Sequence, residues 1–383
     1  MKPDTILTNA TVIADPGSIL RSGTVAIADG RIIDVDDKPT ADPAAEDLGG
    51  AYLIPGLIEL HTDTLERHVQ PRSWVLWDPF SAAVAHDGQI VMSGITTVFD
   101  ALAMVGGRDR GSRHKVIGPM VEGLTAAAEA GTLRATHFIH LRCEVPDPDL
   151  FDLMEPHLAN PLVQFLSIMD HTPGQRQFAD LDLFREIHRK SLNATDAELD
   201  AEISSRQALA RDHAAPNRAR LAKLAQQRHF PVASHDDETP AHVREAAETG
   251  AVVSEFPTTL AAASAARDHG MKILMGAPNL IRGGSHTGNI SAGDLAADGL
   301  LDILSSDYIP ISLLAGAMRL TQAPYHWPLE QAIATVTATP ADVAGLSDRG
   351  RIAPGKRADI VIFDLVQDRP IIRSVWAAGK RVA

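Results

Sequence analysis

The sequence has 383 residues, 45% of them apolar and 22% charged, which allows a large buried core and excludes an intrinsically disordered chain. The formal net charge of −14 argues against nucleic acid or an anionic membrane surface as partner, because either would repel an acidic protein. A single cysteine, Cys143, excludes an internal disulfide, and no segment approaches the roughly 18 apolar residues of a membrane span, so we expect a cytoplasmic protein.

The two ends of the chain are expected to form short strands. Within residues 1–54, apolar and polar positions alternate from residue 5 onward, and Asp-Pro-Gly at 15–17 and Asp-Gly at 29–30 are turn sequences typical of hairpins. The same strand pattern returns in residues 350–383. We therefore predict a small composite β-sandwich domain built from both chain ends.

Residues 55–349 alternate strand-length apolar runs with Ala-rich, charged stretches of helical length, which is typical of a parallel sheet with helical crossovers. The candidate strands are 53–60, 95–101, 137–143, 163–169, 231–234, 251–256, 272–276 and 302–306. This repeat predicts an α/β fold, a TIM-like (β/α)8 barrel. The longest interruption, at about 177–228, has apolar positions at helical spacing and is predicted to be a helical insertion.

The most informative run is the first candidate strand with the residues that follow it, His61 and Asp63. Alternate residues of a strand face the same side, so both side chains should point inward at the C-terminal mouth of the barrel, where active sites of this fold lie. A buried histidine beside a solvated loop aspartate is the alternative interpretation, and it would be favoured if the pair stood alone.

Five further segments end an apolar strand with residues that can bind a metal: 140–144, 166–171, 232–237, 252–255 and 303–307. We assign as ligands of one or two divalent ions, zinc or manganese, the residues His61, Asp63, Glu144, His171, His235 and Asp307. Glu144 is a candidate to bridge two ions. Asp307 is also the expected general base, because a metal activates water near neutral pH and a nearby carboxylate takes up the proton. Asp170, Asp236 and Glu255 are either partners that orient the ligating histidines or solvated residues.

The loop after the seventh candidate strand, residues 276–289, concentrates glycine, hydroxyl groups, arginine and histidine. Glycine lets backbone N–H groups approach a phosphate closely, and arginine offers a planar charged fork. We predict that an anionic substrate is bound by Arg282, Gly283, Gly284, Ser285 and His286, together with Arg176 and Arg142 beside the ligand segments. A plain irregular loop is the alternative.

Several of these runs resemble the amidohydrolase superfamily. The similarity to the superfamily as a whole lies in residues 55–61, in Ser306 and Asp307, and in residues 350–361. A narrower similarity, to the diphosphatases of phosphonate metabolism, lies in residues 61–63, 140–144, 169–178, 233–237, 255–259, 276–279 and 282–286. This resemblance implies metal-dependent hydrolysis of α-D-ribose 1-methylphosphonate 5-triphosphate to the 5-phosphate and diphosphate in the carbon–phosphorus lyase pathway. The implied partner is a small anionic sugar triphosphate as substrate. The resemblance is also compatible with a homo-oligomer.

The sequence also departs from the wider superfamily pattern. Asp63 stands where a second histidine is expected on the first strand. In addition, no lysine suited to carboxylation ends a middle strand, and Glu144 is a candidate to take the place of that lysine. Two other functions stay open at this point. A deaminase or cyclic-amide hydrolase would have a neutral, mostly apolar pocket, and a metal-free scaffold protein would have lost the ligand residues.

Overall fold

The protein is described by a computed structural model that covers residues 2–72, 74–106, 114–192, 194–285 and 288–383. Its strands are β1 Thr5–Asp15, β2 Ser18–Ala28, β3 Arg31–Asp36, β4 Glu46–Asp47, β5 Tyr52–Pro55, β6 Leu57–Thr62, β7 Ile95–Met104, β8 Thr136–Glu144, β9 Val163–Met169, β10 Val232–His235, β11 Val253–Glu255, β12 Lys272–Gly276, β13 Ile303–Ser305, β14 Ile360–Val366, β15 Arg369–Ala377 and β16 Lys380–Arg381.

The α-helices are α1 Thr64–Val69, α2 Pro79–Met92, α3 His114–Glu129, α4 Leu150–Met154, α5 Leu181–Leu192, α6 Asp196–Leu209, α7 Ala215–Arg228, α8 Pro240–Glu248, α9 Leu260–Asp268, α10 Ala277–Arg282, α11 Ala292–Ala297, α12 Ser312–Leu320, α13 Leu329–Ala334 and α14 Ala338–Val343. Among these described helices, none combines the length and the apolar character that a membrane span requires.

Strands β6 to β13 form the predicted parallel barrel, in which each strand pairs with its neighbours in the chain. The first and last strands meet at the C-terminal mouth, where Thr62 and Asp307 form a parallel bridge. The hydroxyl of Ser305 donates to the carbonyl oxygen of His61 at 2.6 Å, and the hydroxyl of Thr62 donates to the carbonyl oxygen of Asp307 at 2.6 Å. These bonds hold together the end of the barrel at which the predicted ligands lie.

The strands from both chain ends form one separate mixed sheet, in the order β16-β15-β14-β5-β1-β2-β3, with β4 pairing β1. Strand β5 is parallel to β1 and antiparallel to β14, so the N-terminal and C-terminal strands interleave. Apolar residues from both ends, among them Leu7, Ile27 and Ile360, share one buried core. The recurrence of the strand pattern after the barrel therefore correctly predicted that the two ends come together.

The chain passes from this sheet into the barrel at Gly56. The candidate strand 53–60 is divided there into β5 and β6, which belong to different sheets. A Cβ atom on Gly56 would lie 2.1 Å from the Oγ1 atom of Thr96, and the Gly56 N–H donates to the carbonyl oxygen of Asp359 at 2.8 Å. Glycine is thus required where the crossing chain packs against the second barrel strand.

The predicted insertion is helical and comprises α5, α6, a π-helical segment at Ala210–Ala214, and α7. The side chain of Gln207 in α6 donates to the carbonyl oxygen of Pro173 at 3.1 Å. The side chain of Asn217 in α7 donates to the carbonyl oxygen of Val145 at 3.0 Å. Both contacts lie just beyond the ends of barrel strands, so the insertion forms a wall beside the mouth.

Candidate active site

Glu255, at the end of β11, joins two of the predicted ligands. Its Oε1 atom lies 2.7 Å from Nδ1 of His61, and its Oε2 atom lies 2.6 Å from Nδ1 of His235. Burial would raise the pKa of Glu255, but the charges and hydrogen bonds of these two histidines hold it well below its usual range. A carboxylate that accepts each Nδ1–H fixes the ring orientation and leaves each Nε2 atom to bind a metal.

Glu144, at the end of β8, holds His171 in the same manner. Its Oε2 atom lies 2.6 Å from Nδ1 of His171, and its Oε1 atom accepts the backbone N–H of His171 at 2.8 Å. Burial would lower the pKa of His171, but the charge of Glu144 and the carboxylate of Asp236 raise it to about 9. In this geometry Glu144 orients the imidazole of His171 and leaves its Nε2 atom on the side of Asp236.

Asp236 brings the imidazoles of His171 and His235 together. Its Oδ2 atom lies 3.7 Å from Nε2 of His171 and 3.4 Å from Nε2 of His235. This oxygen is buried and has no hydrogen-bond partner in the described part of the chain. The residue has a left-handed backbone, with φ 56°, a conformation that aspartate adopts more readily than most residues.

The ligand atoms of His171, His235 and Asp236 fit a divalent metal. Nitrogen and oxygen ligands lie about 2.0–2.1 Å from zinc, which places neighbouring ligand atoms roughly 3.3 Å apart. The three atoms lie within 4.8 Å of one another. Two imidazoles with a carboxylate are a donor set that suits zinc or manganese.

Asp63 and Asp307 line the same pocket as His61 and His235. The Oδ1 atom of Asp63 is buried and lacks a hydrogen-bond partner among the described residues. Burial raises the pKa of Asp307 above its ordinary value, against the opposing charge of His61. A carboxyl group with a raised pKa is suited to accept a proton near neutral pH.

This pocket encloses about 870 Å³, including its open mouth. The predicted site residues that line it are His61, Asp63, Arg142, His235, Arg282, Gly284, Ser285 and Asp307. It is also lined by Gln177, Asp236, Phe256, Asn279 and Tyr308, among others, which the sequence analysis did not single out as substrate contacts. Glu144 and His171 line an adjoining pocket against α6. The predicted ligands thus gather at one mouth, on the floor of two neighbouring cavities.

Two arginines reach the larger pocket. One guanidinium nitrogen of Arg142 lies 3.4 Å from Nε2 of His235. Arg282 is exposed at the end of α10, which terminates at Gly283 with φ 79°. His286, which was predicted to contact phosphate, lies outside the described residues.

Arg176 is held elsewhere by carboxylates. It is buried, and its guanidinium forms ion pairs with Asp237 and, at 3.1 Å, with Glu245. Glu245 also pairs with Arg218 at 2.5 Å. Arg176 is not among the described residues that line the pocket. The structure therefore places this predicted phosphate contact in a buried ion-pair network.

Two buried residues of the site were missed by the sequence analysis, Glu59 and His140. The carboxylate of Glu59 accepts the backbone N–H groups of His61 at 2.8 Å and of Ser306 at 2.5 Å, and burial raises its pKa to about 7. Glu59 therefore ties the first barrel strand to the last. Each missed residue stands two positions before a predicted one, Glu59 before His61 and His140 before Arg142, so strand periodicity could have found both.

Comparisons with known proteins identify the family of this chain. The family described as "Amidohydrolase family" matches residues 155–383. The chain is 44% identical over 362 residues to α-D-ribose 1-methylphosphonate 5-triphosphate diphosphatase of Escherichia coli (strain K12), which covers 94% of this chain and 96% of that protein.

Solved structures with a similar fold include two N-acetylglucosamine-6-phosphate deacetylases. The one from Mycobacterium smegmatis is 18% identical, with a TM-score of 0.65 and coverage of 99% of this chain and 100% of that one. The one from Pasteurella multocida is 11% identical, with a TM-score of 0.66 and coverage of 99% of both chains. At these identities the likeness shows the fold alone.

Proposed function

The chain belongs to the amidohydrolase family, and from this premise we propose that it is a metal-dependent diphosphatase. The proposed substrate is α-D-ribose 1-methylphosphonate 5-triphosphate, and the proposed products are the ribosyl 5-phosphate and diphosphate. Support comes from the relative of that name, whose similarity extends over 94% of the chain. The reaction belongs to the carbon–phosphorus lyase pathway of phosphonate breakdown.

The observation that carries the proposal is a group of metal-type ligands in the same pocket as two arginines. His235 and Asp236 line this pocket together with Arg142 and Arg282. A triphosphate carries several negative charges, which these cations and a metal offset in an otherwise acidic protein. A neutral cyclic amide offers the arginines no charge to bind, so the pocket favours a phosphoanhydride over the deaminase alternative.

The metal would be held by His171, His235 and Asp236, with the sequence-predicted ligands His61, Asp63 and Asp307 at the same mouth. When bound, zinc or manganese lowers the pKa of water and offsets phosphate charge. Glu144 and Glu255 keep the histidines oriented through their Nδ1 atoms.

Different residues of the chain have separate roles in the hydrolysis. The oxygen of the attacking water forms a bond to a phosphorus of the triphosphate, the bond from that phosphorus to the diphosphate oxygen breaks, and Asp307 accepts the water proton. Diphosphate departs with the bonding electron pair. Arg142 and Arg282 stabilise the negative charge that develops on this leaving group.

The assignment of Asp307 is tested by Asp307→Asn, which removes the proton acceptor while it keeps the size of the side chain. We expect the kcat for diphosphate release to fall by roughly 100-fold or more, the usual contribution of a general base. The circular dichroism spectrum should stay unchanged. Asp298→Asn, at an exposed aspartate nearby in the chain, is the matched control and should keep its turnover. Near-normal turnover by Asp307→Asn would contradict the assignment.

A further inference from the structure

We infer that the buried ion pair between Arg176 and Asp237 positions the side chains that hold the pocket metal, because it joins the two loops that carry them. The inference rests on the metal-dependent function proposed above and adds to it two positioning residues, which act through the metal ligands. It is supported by the place of the pair between the loops, by the separate contacts that fix each partner, and by the unfavourable backbone beside the pair.

The pair lies between the two loops that carry metal ligands. Arg176 belongs to the segment after β9 that carries His171, and Asp237 directly follows Asp236 after β10. The guanidinium of Arg176 donates to Oδ1 of Asp237, and the two residues are 6% and 0% exposed. Because water does not compete for these charges, their attraction is stronger than that of an ion pair at the surface. The pair therefore fixes one loop relative to the other.

Asp237 is held by contacts on three sides. Besides the bond from Arg176 to its Oδ1 atom, its Oδ2 atom accepts the hydroxyl of Ser234 at 2.5 Å. Its carbonyl oxygen accepts the backbone N–H of Thr258 at 2.8 Å. Ser234 lies in β10 and Thr258 follows β11, so these contacts tie Asp237 to two barrel strands. Since Asp236 precedes Asp237 in the chain, the same contacts limit where the Asp236 carboxylate can lie.

Arg176 is fixed through its backbone and through its side chain. Its backbone N–H donates to the carboxylate of Glu238 at 3.0 Å. Its second guanidinium nitrogen donates to the carboxylate of Glu245, in α8, at 3.1 Å. With the bond to Asp237, the loop that carries His171 is thus joined at three points to the segment after β10 and to the helix that follows it.

The backbone beside the pair is in a conformation that needs such support. Arg176 and Asp236 have φ values of 52° and 56°, in the left-handed region, which is uncommon for residues with a side chain and less so for aspartate than for arginine. Such a backbone persists only where surrounding contacts hold it. Without the ion pair we expect both residues to relax. Oδ2 of Asp236, now 3.7 Å from Nε2 of His171 and 3.4 Å from Nε2 of His235, would then shift relative to both imidazoles.

The test is the affinity of the metal-free protein for zinc, measured by competition with a chromophoric chelator. Arg176→Met removes the charge and should weaken zinc binding about 10- to 100-fold, the usual effect of losing a residue that orients metal ligands. Arg349→Met is the matched control. Arg349 is also buried and pairs with Asp348 at 2.8 Å and with Thr97 at 2.9 Å, near the start of β7 and away from the mouth. This control should unfold at a lower temperature but bind zinc as tightly as the wild type.

Asp237→Asn covers the case in which Arg176→Met does not fold, because it keeps the shape of the side chain and an oxygen that can accept the hydroxyl of Ser234. It should weaken zinc binding to a similar extent. The double variant should weaken it no further, since the effects of two residues that act as one pair do not add. Zinc binding as tight as that of the wild type in either folded single variant would overturn the inference and leave the proposed diphosphatase standing. Equal weakening in Arg349→Met would also overturn it, because the loss would then follow stability.

Diphosphate release at excess zinc distinguishes this role from a contact with the substrate. Because the pair acts through the metal ligands, Arg176→Met should recover most of its kcat at saturating zinc, and its KM for the triphosphate should match that of the wild type. A KM that stays raised at saturating zinc would contradict the inference, since it would place the guanidinium on the phosphates. If Arg176→Met binds zinc more weakly than the wild type but neither protein releases diphosphate, the proposed function fails and the positioning role stands.

Discussion

The arginines near the predicted ligands differ in whether their guanidinium groups are already paired with carboxylates. Arg142 and Arg282 line the pocket, whereas Arg176 is paired with Asp237 and Glu245. A guanidinium that already binds two carboxylates has little capacity left for a phosphate. Recognition of the anionic substrate therefore depends on Arg142 and Arg282, although Arg176 stands closer to His171 in the sequence.

Arg282→Gln should weaken substrate binding and leave the fold intact, because the side chain is exposed. A charge-assisted hydrogen bond contributes about 1.5–3 kcal/mol, so kcat/KM for diphosphate release should fall roughly tenfold to a hundredfold. Steady-state kinetics on the ribosyl triphosphate measure this. Arg244→Gln, at an exposed arginine of α8, is the control and should behave as wild type. An unchanged kcat/KM in Arg282→Gln would rule out its contact with the phosphates.

Among the secondary-structure elements, helix α2 is joined to the barrel by a network of buried histidine and aspartate side chains. His86 of α2 and His137 of β8 both bind the carboxylate of Asp100 of β7. Asp87 of α2 in turn accepts a hydrogen bond from Nε of Arg134 at 2.9 Å. The two histidines are fully buried and lie outside the pocket. This network of side chains therefore contributes to the stability of the fold, and its contribution depends on pH.

His137→Gln should reveal that dependence. Burial would lower the pKa of His137, but Asp100 and Asp87 raise it to about 9. The unfolded value is about 6.5, so protonated His137 stabilises the fold fully below pH ~6.5, and this stabilisation is lost as the pH rises through about 9. The substitution should therefore lower the free energy of unfolding by roughly 3 kcal/mol more at about pH 6.5 than at about pH 9.5.

Denaturant unfolding of His137→Gln and of the wild type at both pH values measures this difference. His269→Gln, at an exposed histidine, is the control and should show a small deficit that is the same at both pH values. A deficit in His137→Gln that does not change with pH would show that the protonated imidazole is not what stabilises the fold.

For the whole molecule, local pattern was enough to predict the barrel and the place where the ligands gather. Each barrel strand is a short apolar run, and parallel strands end at one mouth, so residues such as His61 and His235 were expected to meet. Pattern did not show that the first candidate strand is divided at Gly56, because apolar periodicity does not tell which sheet a strand joins.

The partners of individual side chains could not be predicted in the same way. Glu144 orients His171, and Glu255 orients His61 and His235, through contacts between residues 20 to 194 positions apart in the chain. Such contacts depend on rotamers and on the register of the closed barrel, which a local pattern does not contain. The ion pairs of Arg176 were missed for the same reason.

Metal dependence of diphosphate release is the most direct test of the proposed function. The purified protein is stripped of metal with a chelator, then reloaded with zinc or manganese, and assayed with α-D-ribose 1-methylphosphonate 5-triphosphate and with a cyclic amide. We expect diphosphate release to stop on chelation and to return on reloading, and the cyclic amide to stay intact. Diphosphate release that is unaffected by chelation, or hydrolysis of the cyclic amide in place of the triphosphate, would contradict the proposal.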